Sequence, residues 1–372
     1  MTLQLRERKI SAGQLAALLI FSRLFILLIY VPNTHNAVVG TPALVGIVLG
    51  GLLSLLLLLP LDCLTRRYPG MDLYEIARQL SPIAGKAVAV LFYLCCLLLS
   101  AETAAQFSVF LTSAVYPRAS VFWVSVIFCL AALYMAYLGL EAVTRASGIL
   151  LVSGIVASVL IGFGLWRFVD TLNLITPFYD GWGPVLRASF LYFTQNLEFI
   201  AFSLLLSKLN SQRVRGAFLR YHLLIAIILL VVGFVSITVL GSYGQTRNFP
   251  IYTLFMLSGS SIFYRFDFVL VAIWTAAALT RSALYLILSN YMLDELTGRR
   301  FGRKLFWPNI AVIFLLALAA GTRMKLFQAL YRLLASGVPV CGLVVLLPAL
   351  LLLANWRKKI QEKGEEKNVQ QD

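Results

Sequence analysis

Four charged residues of this sequence lie inside long apolar runs, where a charge is expensive to keep. They are Arg23, Glu102, Glu198 and Arg281. A charged side chain at the centre of a membrane helix costs roughly 3 kcal/mol on insertion scales, so it normally faces a partner or a water-filled cavity. The two signs balance, which permits two internal ion pairs. Arginine can also bind a carboxylate through two hydrogen bonds, and glutamate can bind an ammonium group or exchange a proton.

Uncharged polar residues surround these charges in the sequence. The set consists of Ser22, Gln106, Thr194, Gln195 and Asn196. Three of them belong to the stretch "FTQNLEF", which also contains Glu198. Glutamine, asparagine and glutamate within four residues cannot all pack against lipid, and unwound backbone survives in a membrane only where it is buried in protein or lines a cavity. This stretch therefore predicts an interrupted helix, with a polar seam between two helices as the alternative.

Each charged group has a functional and a structural interpretation. Arg23 and Glu198 form either a binding site at facing breaks in two spans or a salt bridge that locks the helix bundle. Glu102 and Gln106, one turn apart on one helix face, either line a cavity or hydrogen-bond between helices. For Arg281 the sequence favours a structural pairing, with Glu102 or with backbone carbonyls at a helix end, over contact with a ligand.

The sequence offers little for enzymatic or metal chemistry. Its two histidines, His35 and His222, are far apart in the chain and belong to no HExxH motif. The five cysteines lie in or beside apolar runs without CxxC spacing, which is typical of small apolar packing residues. We therefore expect neither an enzyme nor a bound metal or cofactor.

The elements that must hold these side chains are membrane-spanning helices. Of the 372 residues, 60% are hydrophobic and 13% are charged, and the mean hydropathy is +0.87, which is more apolar than a soluble domain can hide. The apolar residues fall in continuous runs of about 20, long enough to cross roughly 30 Å of hydrocarbon as helix. We predict an all-α polytopic membrane protein with about ten transmembrane helices. The predicted spans are 11–31, 37–60, 84–112, 119–138, 145–166, 188–206, 217–241, 266–291, 306–321 and 333–355.

The net charge of +15 is explained by the orientation of the chain in a membrane rather than by a nucleic-acid partner. With the N-terminus placed in the cytoplasm, 21 of the 31 basic residues lie in cytoplasmic segments, 7 lie outside, and the other three lie within or near spans. This bias fits the positive-inside rule with both termini cytoplasmic. We expect the lipid bilayer as a partner and no nucleic acid.

Short loops connect the spans, so residues 1–356 are predicted to form a single transmembrane domain. Residues 357–372 are predicted to form a charged, disordered cytoplasmic tail. Between the second and third spans, Asp72 and Glu75 have the spacing of a capping box, and the apolar residues that follow share one helix face. This pattern predicts a short helix at the membrane surface.

Ten spans divide into two halves of five, roughly 11–166 and 188–355. In one common transporter architecture the halves are inverted repeats, and the substrate lies near the midplane where spans 1 and 6 break. The polar residues fit this arrangement, because Arg23 lies in span 1 and "TQNLEF" lies in span 6. Spans 3 and 8, which carry Glu102 and Arg281, also occupy equivalent positions in the two halves. The halves share no clear sequence identity.

Several stretches spread along the chain resemble one known family. They are "KISAGQLAALLIFSRLF", "TRRYPGMDLYEIARQL", "YLGLEAVTRASGIL" and "LNLITPFYDGWGPVLRASFLYFTQNLEF". In order and spacing they resemble the spore germination receptor B subunits, permease-like proteins of endospore-forming bacteria in the amino acid–polyamine–organocation transporter superfamily. The resemblance implies a permease-like domain with a LeuT-type 5+5 inverted repeat and broken helices 1 and 6.

The resemblance also implies which residues meet a ligand. The implied ligand-binding positions are Ser22, Arg23, Glu102 and the residues from Gln195 to Glu198. Glu141 and Arg145 match a loop pattern of the family and are expected to have a structural role at the inner end of span 5. The superfamily often has glycine at the break in span 1, whereas this chain has none between Gly13 and Gly40. Either the break is subtle, or Arg23 replaces contacts that exposed backbone makes elsewhere.

Two functions follow from these features. The first is a germinant-sensing subunit of a spore germination receptor in the spore inner membrane, which binds a small nutrient, typically an amino acid, beside an A-type subunit and a C-type lipoprotein subunit. The second is a proton-coupled secondary transporter of amino acids, amines or related small solutes. Both use the same pocket, so the sequence does not separate them. A structural assembly subunit without a working pocket is a third possibility.

Overall fold

The computed structural model describes residues 10–28, 40–209, 214–258 and 267–357. Within these ranges the regular structure is helical, apart from one isolated bridge that pairs Ile10 with Leu209. His35 and most of the predicted tail, residues 358–372, lie outside the described residues.

The helices fall into two sets along the chain. The first set is α1 (Ala12–Leu24), α2 (Thr41–Leu57), α3 (Leu59–Arg67), α4 (Leu73–Leu80), α5 (Pro82–Phe110), α6 (Val121–Leu138) and α7 (Leu140–Leu165). The second set is α8 (Trp182–Thr194), α9 (Glu198–Leu204), α10 (Val214–Leu240), α11 (Pro250–Leu257), α12 (Asp267–Leu296), α13 (Phe306–Thr322) and α14 (Met324–Ala335). After Gly337 the helix resumes at Val338 and continues through a π-helical stretch, Cys341–Leu346, to residue 357.

Eight helical segments of the described chain are long and apolar enough to cross a membrane. They coincide with eight of the ten predicted spans. The first and sixth predicted spans are built from shorter helices. In the first, α1 is followed by a 3₁₀ turn, Phe25–Leu28, and in the sixth, residues 195–197 separate α8 from α9.

The predicted capping box at α4 is confirmed. Asp72 Oδ1 accepts a hydrogen bond from the backbone N–H of Glu75 at 2.9 Å, and Glu75 Oε2 accepts one from the N–H of Asp72 at 3.1 Å. The apolar face of α4 differs from the prediction of a surface helix. Leu73 and Ile76 are completely buried, because α4 packs against α5 and α9.

The long helices α5 and α12 pack along each other and are the most buried of the eight segments. The helices α7 and α10 lie at the periphery, with most of their apolar surface facing outward. The helix α8 packs against α2, and glycines of α2 let the two backbones approach closely. A Cβ atom added at Gly50 would lie 2.5 Å from the carbonyl oxygen of Ser189. This packing fixes α8 next to the point where the sixth span is interrupted.

Candidate functional site

Glu198, the first residue of α9, is completely buried and binds three side chains. Its Oε1 accepts hydrogen bonds from Ser22 Oγ at 3.2 Å and from Nη1 of Arg281. Its Oε2 lies 3.7 Å from Nη1 of Arg23. One carboxylate therefore ties together α1, α9 and α12. The predicted ion pair between Arg23 and Glu198 is confirmed, and we call these four residues the central ion cluster.

Arg23 also contacts the interruption of the sixth span. Its Nη1 donates a hydrogen bond to the backbone carbonyl of Gln195, the residue that follows α8. The last carbonyls of a helix have no intrahelical partner and carry partial negative charge, so a buried guanidinium is stabilised there. This contact accounts for an arginine in the middle of the first span.

The α-helical part of the first span ends at Leu24 without a glycine. In the 3₁₀ turn that follows, the carbonyl of Phe25 accepts a hydrogen bond from Nε1 of Trp274 at 2.9 Å. The rings of Phe25 and Trp274 stack with centroids 5.1 Å apart. A buried indole N–H usually finds such a partner, and here it supports the change of helix type.

Two further contacts hold the interrupted segment of the sixth predicted span. The hydroxyl of Tyr221 donates a hydrogen bond to Oδ1 of Asn196. Thr194 packs on Gly337, where an added Cβ would lie 2.5 Å from Thr194 Cγ2. Gly337 has φ +85°, a conformation that favours glycine, and it separates α14 from the helix that begins at Val338. The interruptions of the sixth and last spans therefore lie against each other.

Arg281 connects α12 to both α9 and α5. Besides Glu198, its guanidinium binds Thr103, to which Nε donates at 3.2 Å. The same group lies over the rings of Tyr285 and Phe25, with its Cζ atom 5.2 and 5.6 Å from the centroids. The sequence favoured Glu102 or backbone carbonyls as its partner, whereas the closest acidic contact of Arg281 is Glu198.

A small cavity of about 20 Å³ lies beside the central ion cluster, with room for about one water molecule. Its polar lining comes from Glu102, Gln195 and Arg281. Its apolar lining comes from Phe25, Ile26, Leu197, Tyr331, Leu334 and Ala335. A carboxylate and a guanidinium at one cavity can contact the two charged ends of a small zwitterion. An amino acid has several times as many heavy atoms as water, so the cavity must widen to admit one.

Buried polar atoms near the cluster have spare hydrogen-bonding capacity. Among the described residues, Nε of Arg23, Nδ2 of Asn196 and the hydroxyl of Tyr285 are buried without a hydrogen-bond partner. Each such group costs about 1–3 kcal/mol. Native proteins keep few of them, and two of the three, on Arg23 and Asn196, lie next to helix ends, which is typical of a functional site rather than of a packed core.

The structure brings together most of the residues singled out in the sequence. Ser22, Arg23, Glu198 and Arg281 form the cluster, and Glu102 and Gln195 line the cavity. Gln106, Thr194 and Asn196 are completely buried on or beside the same elements. Glu141 and Arg145 do not join this group. They pair with each other at 2.5 Å in the first turns of α7, where Arg145 is largely exposed.

Sequence reasoning missed several residues of the site: Thr103, Tyr221, Trp274, Tyr285 and Tyr331. Two of them had a usable signal. Thr103 follows Glu102 directly, and Tyr285 lies one turn after Arg281 on the same helix face. The others are aromatic residues in apolar runs, which sequence alone does not distinguish from ordinary core.

The described fold is that of a class of membrane transporters. A sodium-coupled sialic acid symporter in a substrate-bound, outward-open state has a TM-score of 0.65 and 15% identity, with 89% of this chain and 77% of that chain covered. Mhp1, a nucleobase-cation-symport-1 family transporter in a closed conformation with bromovinylhydantoin bound, has a TM-score of 0.62 and 16% identity, covering 91% and 78%. At these identities the similarity establishes the fold alone.

The family is established by the sequence itself. The family model for spore germination proteins, Spore_permease, matches residues 9–324, so the chain belongs to this family. One relative is the "Putative spore germination protein YfkT" of Bacillus subtilis (strain 168). It is 26% identical over 251 residues, which cover 66% of this chain and 68% of the relative. The chain is thus a multi-pass membrane protein of a spore germination family with a transporter fold.

Proposed function

We propose that this protein is the germinant-sensing membrane subunit of a spore germination receptor and that it binds a small nutrient such as an amino acid. The observation that carries the proposal is the cavity lined by Glu102, Gln195 and Arg281 at the interruption of the sixth span. Family membership supports the role in germination, and the transporter fold supports a ligand site at this level of the membrane.

In this proposal the two glutamates have different tasks. Glu198 is engaged by Ser22, Arg23 and Arg281, so it organises the site rather than binding the ligand ammonium. Glu102 lines the cavity and takes the ammonium group. Arg281 lines the cavity from α12 and takes the carboxylate.

The proposal includes the finer features of the fold. Residues 12–28 and 182–204 form the first and sixth spans, and each of these two spans crosses the membrane in two segments. With the eight long helices they make ten spans in a 5+5 arrangement. All ten belong to a single permease-like domain (residues 1–356). The small volume of the cavity corresponds to a closed conformation. Ligand binding widens it and shifts the balance between conformations, which is the signal. The receptor lies in the spore inner membrane with both termini cytoplasmic and acts beside A-type and C-type subunits, without enzymatic activity of its own.

Proton-coupled transport of amino acids or amines is the second candidate function. It is favoured by the two structural neighbours, a sodium-coupled symporter and a nucleobase-cation-symport-1 family transporter. The buried carboxylates Glu102 and Glu198 are suitable proton acceptors in such a cycle.

A germination assay tests the proposal directly. Spores that carry Glu102→Gln in place of the parent protein are expected to need at least about tenfold more amino acid for half-maximal germination, corresponding to about 1.4 kcal/mol of binding free energy. Glu141→Gln, which removes a carboxylate from the surface of α7, serves as the matched control and leaves the response unchanged. Equal amounts of both variants in spore membranes, with identical germinant sensitivity, would contradict the proposal.

A further inference from the structure

A second buried polar group lies at the far end of α9 and α12, away from the central ion cluster. Its centre is Asp72, the N-cap residue of α4, whose side chain is completely buried. Beyond the capping bond to Glu75, Asp72 Oδ2 accepts hydrogen bonds from the hydroxyls of Ser207 and Tyr291, each at 3.2 Å. A cap needs only the bond to the backbone N–H, so these two additional bonds have another role.

The two donors belong to the elements that carry the central ion cluster. Ser207 follows α9 and lies nine residues after Glu198, and Tyr291 lies in α12, ten residues after Arg281. Ten residues of helix are about 15 Å. The pair Glu198–Arg281 therefore joins these elements at the cavity, and Asp72 joins them again about 15 Å further along.

The base of α1 is fastened at the same level. The backbone N–H of Ile10, two residues before α1, donates to the carbonyl of Lys208 at 3.0 Å, and Ile10 pairs with Leu209. This places the beginning of α1 and the ends of α9 and α12 in one layer next to α4.

A second acidic residue reinforces the position of α4. Glu295, near the end of α12, accepts a hydrogen bond from the hydroxyl of Tyr74 at 3.2 Å. It also pairs with Arg78 at 3.6 Å and with Arg299 at 2.6 Å. On the other side, α4 packs tightly on α5, because a Cβ at Gly85 would lie 2.8 Å from Cα of Arg78. The short helix is thus packed tightly on α5, and polar bonds add to its smaller packing contacts with α9 and with α12, where the rings of Tyr74 and Tyr291 meet edge to face with centroids 6.5 Å apart.

We infer that Asp72, Ser207 and Tyr291 form a latch that closes the end of the site opposite the cavity. Apolar contacts between helices resist separation over their whole length, whereas two hydroxyl–carboxylate bonds break and re-form at discrete positions. Because the two bonds lie in series through Asp72, separation of α9 from α12 at this end requires at least one of them to open, and it leaves Asp72 attached to α4 by its capping box. The latch therefore controls access to the buried face of α9 between Glu198 and Ser207.

Access to a cysteine placed on that face measures the state of the latch. Ser203 is completely buried on α9, one turn before Ser207. The reporter is Ser203→Cys in full-length protein whose five native cysteines are replaced, reconstituted in lipid nanodiscs and treated with a water-soluble maleimide. The latch variant is Ser207→Ala with Tyr291→Phe, which keeps the capping box. The control is Tyr93→Phe, which removes another buried tyrosine bond, to Asn309 Oδ1 at 3.1 Å, between α5 and α13.

The latch variant is expected to raise the labelling rate of the reporter cysteine at least about fivefold, with the control at the parent rate. An unchanged rate in the latch variant would overturn the inference, as would an equal rise in the control, since that would indicate general loosening of the bundle. A variant that unfolds is recognised by its thermal melting curve, and Ser207→Ala alone is then compared with the parent by the same criterion. Because no ligand is used, failure of this experiment leaves the germinant proposal standing, and failure of that proposal leaves the latch.

Discussion

At the residue scale, the site depends on a carboxylate shared by two arginines. Taking ions out of water costs several kcal/mol each, and only good geometry with additional hydrogen bonds compensates for it. Glu198 meets this condition through Ser22, Arg23 and Arg281, and Arg23 gains further from the carbonyl of Gln195. Three of the four charges of the apolar runs, Arg23, Glu198 and Arg281, thus hold α1, α9 and α12 together.

Removal of the shared carboxylate is expected to be the most damaging single change in the cluster. Glu198→Gln leaves Arg23 and Arg281 buried without a negative partner in the cluster, which we expect to cost about 3–5 kcal/mol of unfolding free energy. Reversible unfolding in mixed micelles, followed by tryptophan fluorescence, measures the loss. The double variant Glu198→Gln with Arg281→Gln removes one of the two unpaired charges along with the carboxylate. It should be more stable than Glu198→Gln alone, and equal or lower stability would contradict the pairing.

The pairing of Arg23 with Glu198 was predictable, because opposite charges occupied equivalent spans of the predicted 5+5 arrangement. The partner of Arg281 was not, since the sequence pointed to Glu102 or to backbone carbonyls, and only the packing of α12 on α9 brings Glu198 to its guanidinium. The bond from Trp274 to the Phe25 carbonyl joins residues 249 positions apart and has no sequence signal. The same holds for Tyr221 and Asn196.

At the scale of elements, short segments do the positioning. The missing glycine of the first predicted span left a subtle break or a role for Arg23 as the alternatives, and in the structure α1 is followed by a 3₁₀ turn supported by Trp274. The glycine that matters, Gly337, lies in the last span, where the sequence pattern gave no reason to expect an interruption. It could be found only from its positive φ and its contact with Thr194.

A side chain at Gly337 is expected to separate the last span from the sixth. Gly337→Ala combines strain at φ +85° with a Cβ 2.5 Å from Thr194 Cγ2, and we expect a loss of about 1–3 kcal/mol in unfolding free energy. Gly342→Ala is the matched control, because nothing lies within 4 Å of a Cβ there. Thr194→Ala added to Gly337→Ala should restore part of the loss. Equal melting temperatures for Gly337→Ala and Gly342→Ala would contradict the close contact between Gly337 and Thr194.

The latch helix α4 gives the protein a pH dependence near neutrality. Burial, followed by the neighbouring charge of Glu75, raises the pKa of Asp72 to about 7 from an ordinary value near 3.8. The hydrogen bonds that Asp72 accepts from the N–H of Glu75 and from the hydroxyls of Tyr291 and Ser207 lower this pKa in part. Because the folded state holds the proton more tightly than the unfolded state, the contribution of Asp72 to stability is complete below about pH 4 and is lost as the pH rises through 7.

The melting temperature of the purified protein is therefore expected to fall between pH 6 and pH 8. Asp72→Asn keeps an N-cap residue but has no proton to lose, so its melting temperature should change less over the same interval. Asp62→Asn, which removes an exposed carboxylate paired with Arg66 on α3, is the control and should keep the parent slope. If the melting temperature of the Asp72 variant fell with pH as steeply as that of the parent, another group would be responsible.

At the scale of the whole molecule, the approximate limits of eight of the ten predicted spans followed from hydropathy and length alone. Eight predicted spans match long apolar helices, because a membrane requires long continuous apolar segments that are visible in any sequence. The surroundings of α4, in contrast, were predicted wrongly. Its amphipathic pattern is identical for a helix on lipid and for one packed on α5 and α9, and only the tertiary fold separates the two.

Sensing and transport differ in whether ligand crosses the membrane. If the protein is a receptor, proteoliposomes that contain it should take up no more labelled amino acid under an inward proton gradient than empty liposomes. Uptake above that level, abolished by dissipating the gradient, would instead establish the transporter. The sialic acid symporter and Mhp1 share the fold, so the fold itself does not decide this point.

The central claim is that the cavity beside Glu102 and Arg281 binds an amino acid, and ligand binding to purified protein tests it most directly. A panel of amino acids is titrated against the parent, Glu102→Gln and Glu141→Gln, with the melting temperature as readout. We predict that at least one amino acid stabilises the parent and Glu141→Gln in a saturable manner, and that Glu102→Gln needs at least about tenfold more of it, equivalent to about 1.4 kcal/mol. The same saturable stabilisation of all three proteins, or none of the parent by any amino acid, would contradict the claim.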